Sequence, residues 1–108
     1  MSAPPCHRSA RVLKSDVLAG HLERLEDGSY CFAYAEAYAG PPVSLSLPVR
    51  ADPYAWTHFP PFFDGLLPEG AQLDALLRTL KLDRYDYFDQ LVAVGTDLVG
   101  DVRVEAAS

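Results

Sequence analysis

The stretch Phe59–Gly70, Phe-Pro-Pro-Phe-Phe-Asp-Gly-Leu-Leu-Pro-Glu-Gly, constrains this chain more tightly than any other. It holds Phe59, Phe62, Phe63, Leu66 and Leu67, interrupted by Pro60, Pro61, Gly65, Pro68 and Gly70. Burying one large apolar side chain contributes roughly 1.5–3 kcal/mol. Five such residues in one short span therefore belong at the centre of the core. The prolines forbid a long helix, because each removes a donor and restricts the residue before it. The segment is expected to form one compact helical turn, Pro61 to Leu67, placed as a plug between strands and helices.

Strands are expected before the plug. Arg11–Lys14 and Val17–Leu25 flank Ser15-Asp16, a two-residue turn lacking the glycine of the strongest hairpin signals. Alternation puts Leu18, Gly20 and Leu22 on one face and Val17, Ala19 and His21 on the other, with Gly20 marking a bulge or bend. Asp27-Gly28 turns the chain into a third strand, Tyr30–Tyr34. A helical turn is expected over Ala35–Gly40, then a strand over Val43–Val49 that alternates Val43, Leu45 and Leu47 with Ser44 and Ser46.

Helices are expected after the plug. In Ala71–Leu82, Leu73, Leu76, Leu77 and Leu80 fall at i, i+3, i+4 and i+7, an apolar stripe opposite Asp74, Arg78 and Lys81. With this stripe in the core, Leu76→Asp is expected to unfold the domain. Asp86 is the expected cap of a second helix, with Asp89 in its first turn, Phe88, Leu91 and Val92 facing inward and Gly95 ending it. Thr96–Gly100 turns the chain, and Val102 and Val104 mark a last strand. The sum is a small single α+β domain, an antiparallel sheet with two to three short helices packed on one face. Its boundaries are a flexible leader over residues 1–10, the domain over 11–105 and a tail over 106–108. Its expected core is Phe62, Phe63, Leu66, Leu67, Leu73, Leu76, Leu77, Phe88 and Leu91.

Charge narrows the function. The net charge is −6, and beyond Leu25 five basic residues stand against thirteen acidic ones. Such a surface repels phosphates, so direct nucleic-acid binding is not expected. No apolar run reaches the roughly 18 residues a membrane helix needs, and the N-terminus has no signal-peptide core. Two cysteines, Cys6 and Cys31, without a CxxC pattern, give no disulfide framework. A cytoplasmic protein is expected.

Catalytic patterns are thin. His7, His21 and His58 are scattered, and Gly95–Gly100 lacks the lysine of a phosphate-binding loop. Asp52, His58 and Asp64 could converge on a metal or a base, but acids scattered around one histidine predict that equally well. Glu69 follows Pro68 at a helix start, where acids are usually structural. No enzyme, metal or cofactor is expected. The informative oddity is the segment Val49–His58, which carries the only tryptophan, Trp56, and Tyr54 in a stretch that reads as a surface loop. The pair either tucks back onto the core or anchors a partner, since Trp and Tyr dominate interface energetics once inside a pocket.

Four segments together resemble a known family. They are Tyr30–Tyr34 with Tyr38, Val-Ser-Leu-Ser-Leu-Pro at 43–48, Phe-Phe-Asp-Gly-Leu-Leu-Pro-Glu-Gly at 62–70 and Tyr-Phe-Asp-Gln-Leu-Val-Ala-Val-Gly at 87–95, continuing to Gly100. In this order they are similar to the N-terminal subdomain of HipA-type Ser/Thr kinases, toxins of bacterial toxin–antitoxin modules. The ATP site, catalytic aspartate and metal ligands of those kinases have no counterpart here. The chain thus resembles the HipS-like antitoxins of HipBST systems. That resemblance implies an antitoxin that binds and neutralises a HipT-like kinase, beside a HipB-like protein that binds DNA. Trp56, Tyr54, His58 and Asp52 are the candidate kinase-binding residues, with Trp56 presented to the kinase active site. The competing expectation is an assembly module that bridges kinase and HipB-like protein without inhibiting.

Overall fold

The computed structural model describes residues 6–95, 98 and 100–107. The order of elements is β1 (Cys6–Lys14), β2 (Val17–Leu25), β3 (Tyr30–Tyr34), β4 (Tyr54–Trp56), α1 (Pro61–Asp64), α2 (Gly70–Leu80), α3 (Tyr87–Val94) and β5 (Val102–Ala106). The strands form an antiparallel sheet ordered β4-β3-β2-β1-β5, so the last strand closes against the first. The expected α+β architecture is what the chain adopts.

β1 begins at Cys6, five residues before the strand expected at Arg11, because Arg8, Ser9 and Ala10 pair with β2. Residues 1–5 of the expected leader and Ser108 of the tail lie outside the described residues. Ser15 and Asp16 both take positive φ, 51° and 66°, so the connection twists with the strands it joins even without a glycine. The register slips between Val12 and Leu13, opposite Ala19, and this is the bulge Gly20 announced. The slip has a consequence for the core. Ala19, expected on the face away from Leu22, is fully buried with it. Gly20 cannot be replaced freely, since a Cβ there would lie 2.2 Å from the Ala33 carbonyl oxygen.

The core-facing side of the sheet carries Ala10, Val12, Leu22, Phe32 and Val104, all fully buried, with Tyr30 and Val102 nearly so. The opposite side carries Arg11 paired with Glu105, and Glu23 beside Cys31. The plug folds against the buried side. Pro61 occupies the first turn of α1, Phe63 is fully buried, and its ring packs 5.7 Å from Phe32. Phe62, Leu66 and Leu67 pack against this core while keeping part of their surface exposed.

The helices differ from expectation in α2. α3 buries Phe88, Gln90 and Leu91, and Asp86 caps it by accepting the Asp89 backbone N–H at 3.2 Å. α2 buries none of its residues. Leu73, Leu76 and Leu77, expected in the core, are only half-buried, and Leu80 is 47% exposed. The sheet, the plug and α3 already fill the interior, so the stripe of α2 lies along its margin. α2 also ends earlier than expected, at Leu80, with Lys81 in the left-handed region at φ 56°.

One further expectation changes. Val43–Val49 is not a strand. The chain folds there into a tight turn closed by a Ser44–Leu47 bridge, burying Val43 and Leu47 and leaving Leu45 96% exposed. Tyr34 fixes this turn by donating its hydroxyl to the Leu47 carbonyl and accepting the Val43 N–H. A strand would have forced Val43, Leu45 and Leu47 to share one face. Gly95 does end α3, but in right-handed conformation at φ −60°. Its glycine is needed because β5 passes so close that a Cβ would meet the Val104 oxygen at 1.7 Å. Of the expected turn Thr96–Gly100, Thr96, Asp97 and Val99 lie outside the described residues.

Candidate functional site

The segment around Trp56 is an edge strand rather than a loop. Tyr54, Ala55 and Trp56 pair with Phe32, Cys31 and Tyr30. Alternation along β4 therefore places Tyr54 and Trp56 on the core side, beside Phe32 and Tyr30, and Ala55 on the other. Tyr54 and Trp56 stack with ring centroids 6.1 Å apart at 14°, and both are half-buried. Burial against the core and exposure at the sheet edge are both satisfied.

Tyr54 is committed within its own domain. Its hydroxyl donates to the Pro48 carbonyl at 2.6 Å, and the Arg50 guanidinium lies 3.6 Å above its ring. Arg50 also donates to the carbonyls of Asp52 and Pro53, which shapes the approach to β4. Trp56 is the member with apolar surface to offer from a fixed backbone. Asp52 and His58 flank the strand and are exposed. Asp64 is exposed on α1, and among the described residues no three His, Cys, Asp or Glu side chains come together to hold a metal ion.

Burial, and then the nearby Glu23 carboxylate, push the Cys31 thiol up from its ordinary value, away from the reactive thiolate. Burial likewise raises the Tyr30 and Tyr34 hydroxyls. Burial is also the main reason the Asp86 carboxyl is raised, with the neighbouring Asp89 carboxyl adding to it and Arg24 opposing it. Arg8 pairs with Asp89, and Arg24 with Asp86 at 3.8 Å, fastening β1 and β2 to α3.

Three other surfaces escape the sequence patterns. One is an apolar cleft of about 450 Å³ beside the β1–β2 turn, lined by Val17, Leu18, Tyr38 and Pro41 among others. Another is the projecting Leu45. The third is the end of α2, where Leu80 is 47% exposed. Only the third has a signal in the sequence, the leucine stripe, whose spacing points to the core. Among the described residues no helix is long and apolar enough to cross a membrane.

Comparison with known proteins fits this geometry. The chain is 33% identical over 91 residues to Y4mE of Sinorhizobium fredii, a protein named as a kinase; the match takes in 81% of this chain and 22% of Y4mE. It spans less than a quarter of that relative. It is 30% identical over 98 residues to an uncharacterized protein of Haemophilus influenzae, covering 91% of this chain and 92% of that protein. The solved N-terminal domain of HipA toxin superposes with a TM-score of 0.76 at 28% identity, over 98% of both chains. The family profile of the HipA N-terminal domain matches residues 10–105, nearly the whole chain, and this chain belongs to the HipA N-terminal domain family.

Proposed function

We propose that this protein is an antitoxin that binds a HipT-like Ser/Thr kinase toxin and holds it inactive, with the edge of the sheet at Trp56 covering the active site. The observation that supports this reading most is the Tyr54–Trp56 stack. Its backbone is fixed by β3, so a partner meets a pre-ordered aromatic edge and little side-chain entropy is lost on docking. Asp52 and His58 flank that edge as polar contacts. The protein works by occupancy, with no reaction of its own, in the cytoplasm, and a separate HipB-like protein supplies DNA binding. Family membership and the kinase name of Y4mE support a kinase as the partner.

The test is neutralisation in cells expressing a HipT-like kinase. Wild type restores growth, and Trp56→Ala, folded by circular dichroism, fails to. Equal rescue by the folded variant removes Trp56 from the inhibitory role. The assembly reading draws support from a second surface on a different element, the end of α2 and the loop after it, where Leu80 is 47% and Tyr85 75% exposed. Kinase autophosphorylation and substrate labelling, with and without the purified protein, separate the two readings: an assembly module leaves both rates unchanged.

A further inference from the structure

The two edges of the sheet are finished differently. β5 is closed at its middle, where the Val104 N–H donates to the Gly95 carbonyl at the end of α3. Among the described residues β4 has no such cover, and the hydrogen bonds of the sheet fix which of its backbone groups are left over. At the two ends of the β2–β3 ladder the Ala35 N–H donates to the Ala19 carbonyl and the Leu25 N–H to the Ser29 carbonyl. Bonded and non-bonded pairs alternate along an antiparallel ladder, so His21–Ala33 and Glu23–Cys31 are the bonded pairs in between. Cys31 thus turns its backbone groups to β2, while Tyr30 and Phe32 turn theirs to β4. The bonded pairs of the next ladder are then Phe32–Tyr54 and Tyr30–Trp56. Ala55, between them, points its N–H and C=O out of the sheet. The Pro53 carbonyl, next along that edge, already accepts from Arg50.

An open donor–acceptor pair on an edge strand takes another extended strand. The residues around Ala55 fit a second β4. Two such strands, antiparallel about a two-fold axis at Ala55, give each Ala55 N–H the other's carbonyl. Tyr54 then falls opposite Trp56 of the second copy at a non-bonded position, where cross-strand side chains come closest. The stack that Tyr54 and Trp56 form within one copy, centroids 6.1 Å apart, is continued across the axis. Two residues further out, the exposed Asp52 comes to the exposed His58 of the second copy, acid facing base. Each of these contacts occurs twice, as a two-fold interface requires. On the opposite face of the sheet the exposed Ala55 brings only a methyl group to the axis.

We propose that β4 is a self-pairing edge, where two copies of this chain join antiparallel, centred on Ala55, into one continuous sheet. The edge is short and each body carries a net charge of −6, so the pair forms at high protein concentration and separates on dilution. The pairing stands independently of the kinase reading. One consequence alone rests on that reading: a paired copy has Trp56 covered and must separate before the same edge can meet a kinase.

The experiment is sedimentation of the full chain over a concentration series, with hydrogen exchange followed at the Ala55 amide. Wild type passes from monomer to dimer as concentration rises, and exchange at Ala55 slows in step. Ala55→Pro removes the outward donor and leaves the β3 ladder intact, since edge positions of this kind tolerate proline. Ala55→Lys keeps the donor and sets two like charges opposite one another across the axis. Each variant, with a native circular dichroism spectrum, weakens dimerisation by about tenfold or more. Wild type that stays monomeric at every concentration overturns the proposal. Folded Ala55 variants that dimerise like wild type also overturn it, because the contact then lies on another surface. So does slowing at Ala55 only on addition of a HipT-like kinase, which gives the edge to a strand of that partner.

Discussion

α2 and α3 start from the same kind of pattern and end in different places. Both alternate apolar and polar residues at helical spacing, and the longer, α2, has the more regular stripe. Yet α3 buries Phe88, Gln90 and Leu91, while α2 buries nothing. The difference comes from neighbours. α3 is stitched to the sheet by the Arg8–Asp89 and Arg24–Asp86 pairs, and Gly95 lets β5 come into hydrogen-bonding contact with its end. α2 is joined to the rest through Pro68 at one end and the loop clamped by Gln90 at the other. Amphipathic spacing reports that a face exists. It does not report what covers it.

Substitutions can break this contrast. The largest effect is expected at Leu91→Asp, which places an unpaired carboxylate in the fully buried centre of α3 and costs roughly 3–5 kcal/mol or more. A cooperative melt at the wild-type temperature would show that α3 is not the buried helix. Phe63→Ala is expected to cost about 3–5 kcal/mol in chemical denaturation, since its ring packs on Phe32 at the plug. A loss below about 1 kcal/mol would place the plug outside the core. Gly95→Ala should cost about 1–3 kcal/mol because the α3–β5 contact has no room for a methyl group. An unchanged denaturation midpoint would mean that β5 does not approach α3 so closely.

The remaining effects are smaller. Asp86→Ala removes the cap of α3 and is expected to cost about 1 kcal/mol, while Asp86→Asn keeps most of it. The pH dependence has a definite sign. Because the folded protein raises the Asp86 carboxyl, this group's contribution is fully present below the ordinary carboxylate value of 3.8 and is lost as pH rises through the raised one. Asp86→Asn should remove that part of the pH profile, and a profile identical to wild type would assign the titration elsewhere. The smallest effect belongs to α2. Leu80→Asp, on the stripe expected to face the core, should cost under about 1 kcal/mol, since Leu80 is 47% exposed. Collapse of the fold in that variant would return α2 to the core.

Much of the architecture was legible because its signals are local. Ser15-Asp16, Asp27-Gly28 and the Gly20 bulge punctuate the β1–β2–β3 meander, and the Pro61 start of α1 and the Asp86 cap mark helix beginnings. The expectations that changed depend on remote partners. Val43–Val49 alternates like a strand, but the Tyr34 hydroxyl holds it in a turn. Val49–His58 reads as a loop because of Pro53 and its small residues, but β3 offers an edge on which Tyr54–Trp56 pairs. For the candidate site, the sequence pointed to the pair Tyr54 and Trp56 and gave no hint of its strand, its stack or the Arg50 guanidinium over Tyr54.

Taken alone, the sequence determined the class of fold, the buried plug, the acidic character and the kinship with HipA N-terminal domains, since these follow from composition, short-range turn chemistry and ordered motifs. Tertiary structure decided which apolar faces stay open. Hydrophobic burial is non-directional, and a leucine stripe is equally content against a sheet or a partner. Only the space already filled by Phe32, Phe63, Phe88 and Leu91 settled that α2 would lie outside.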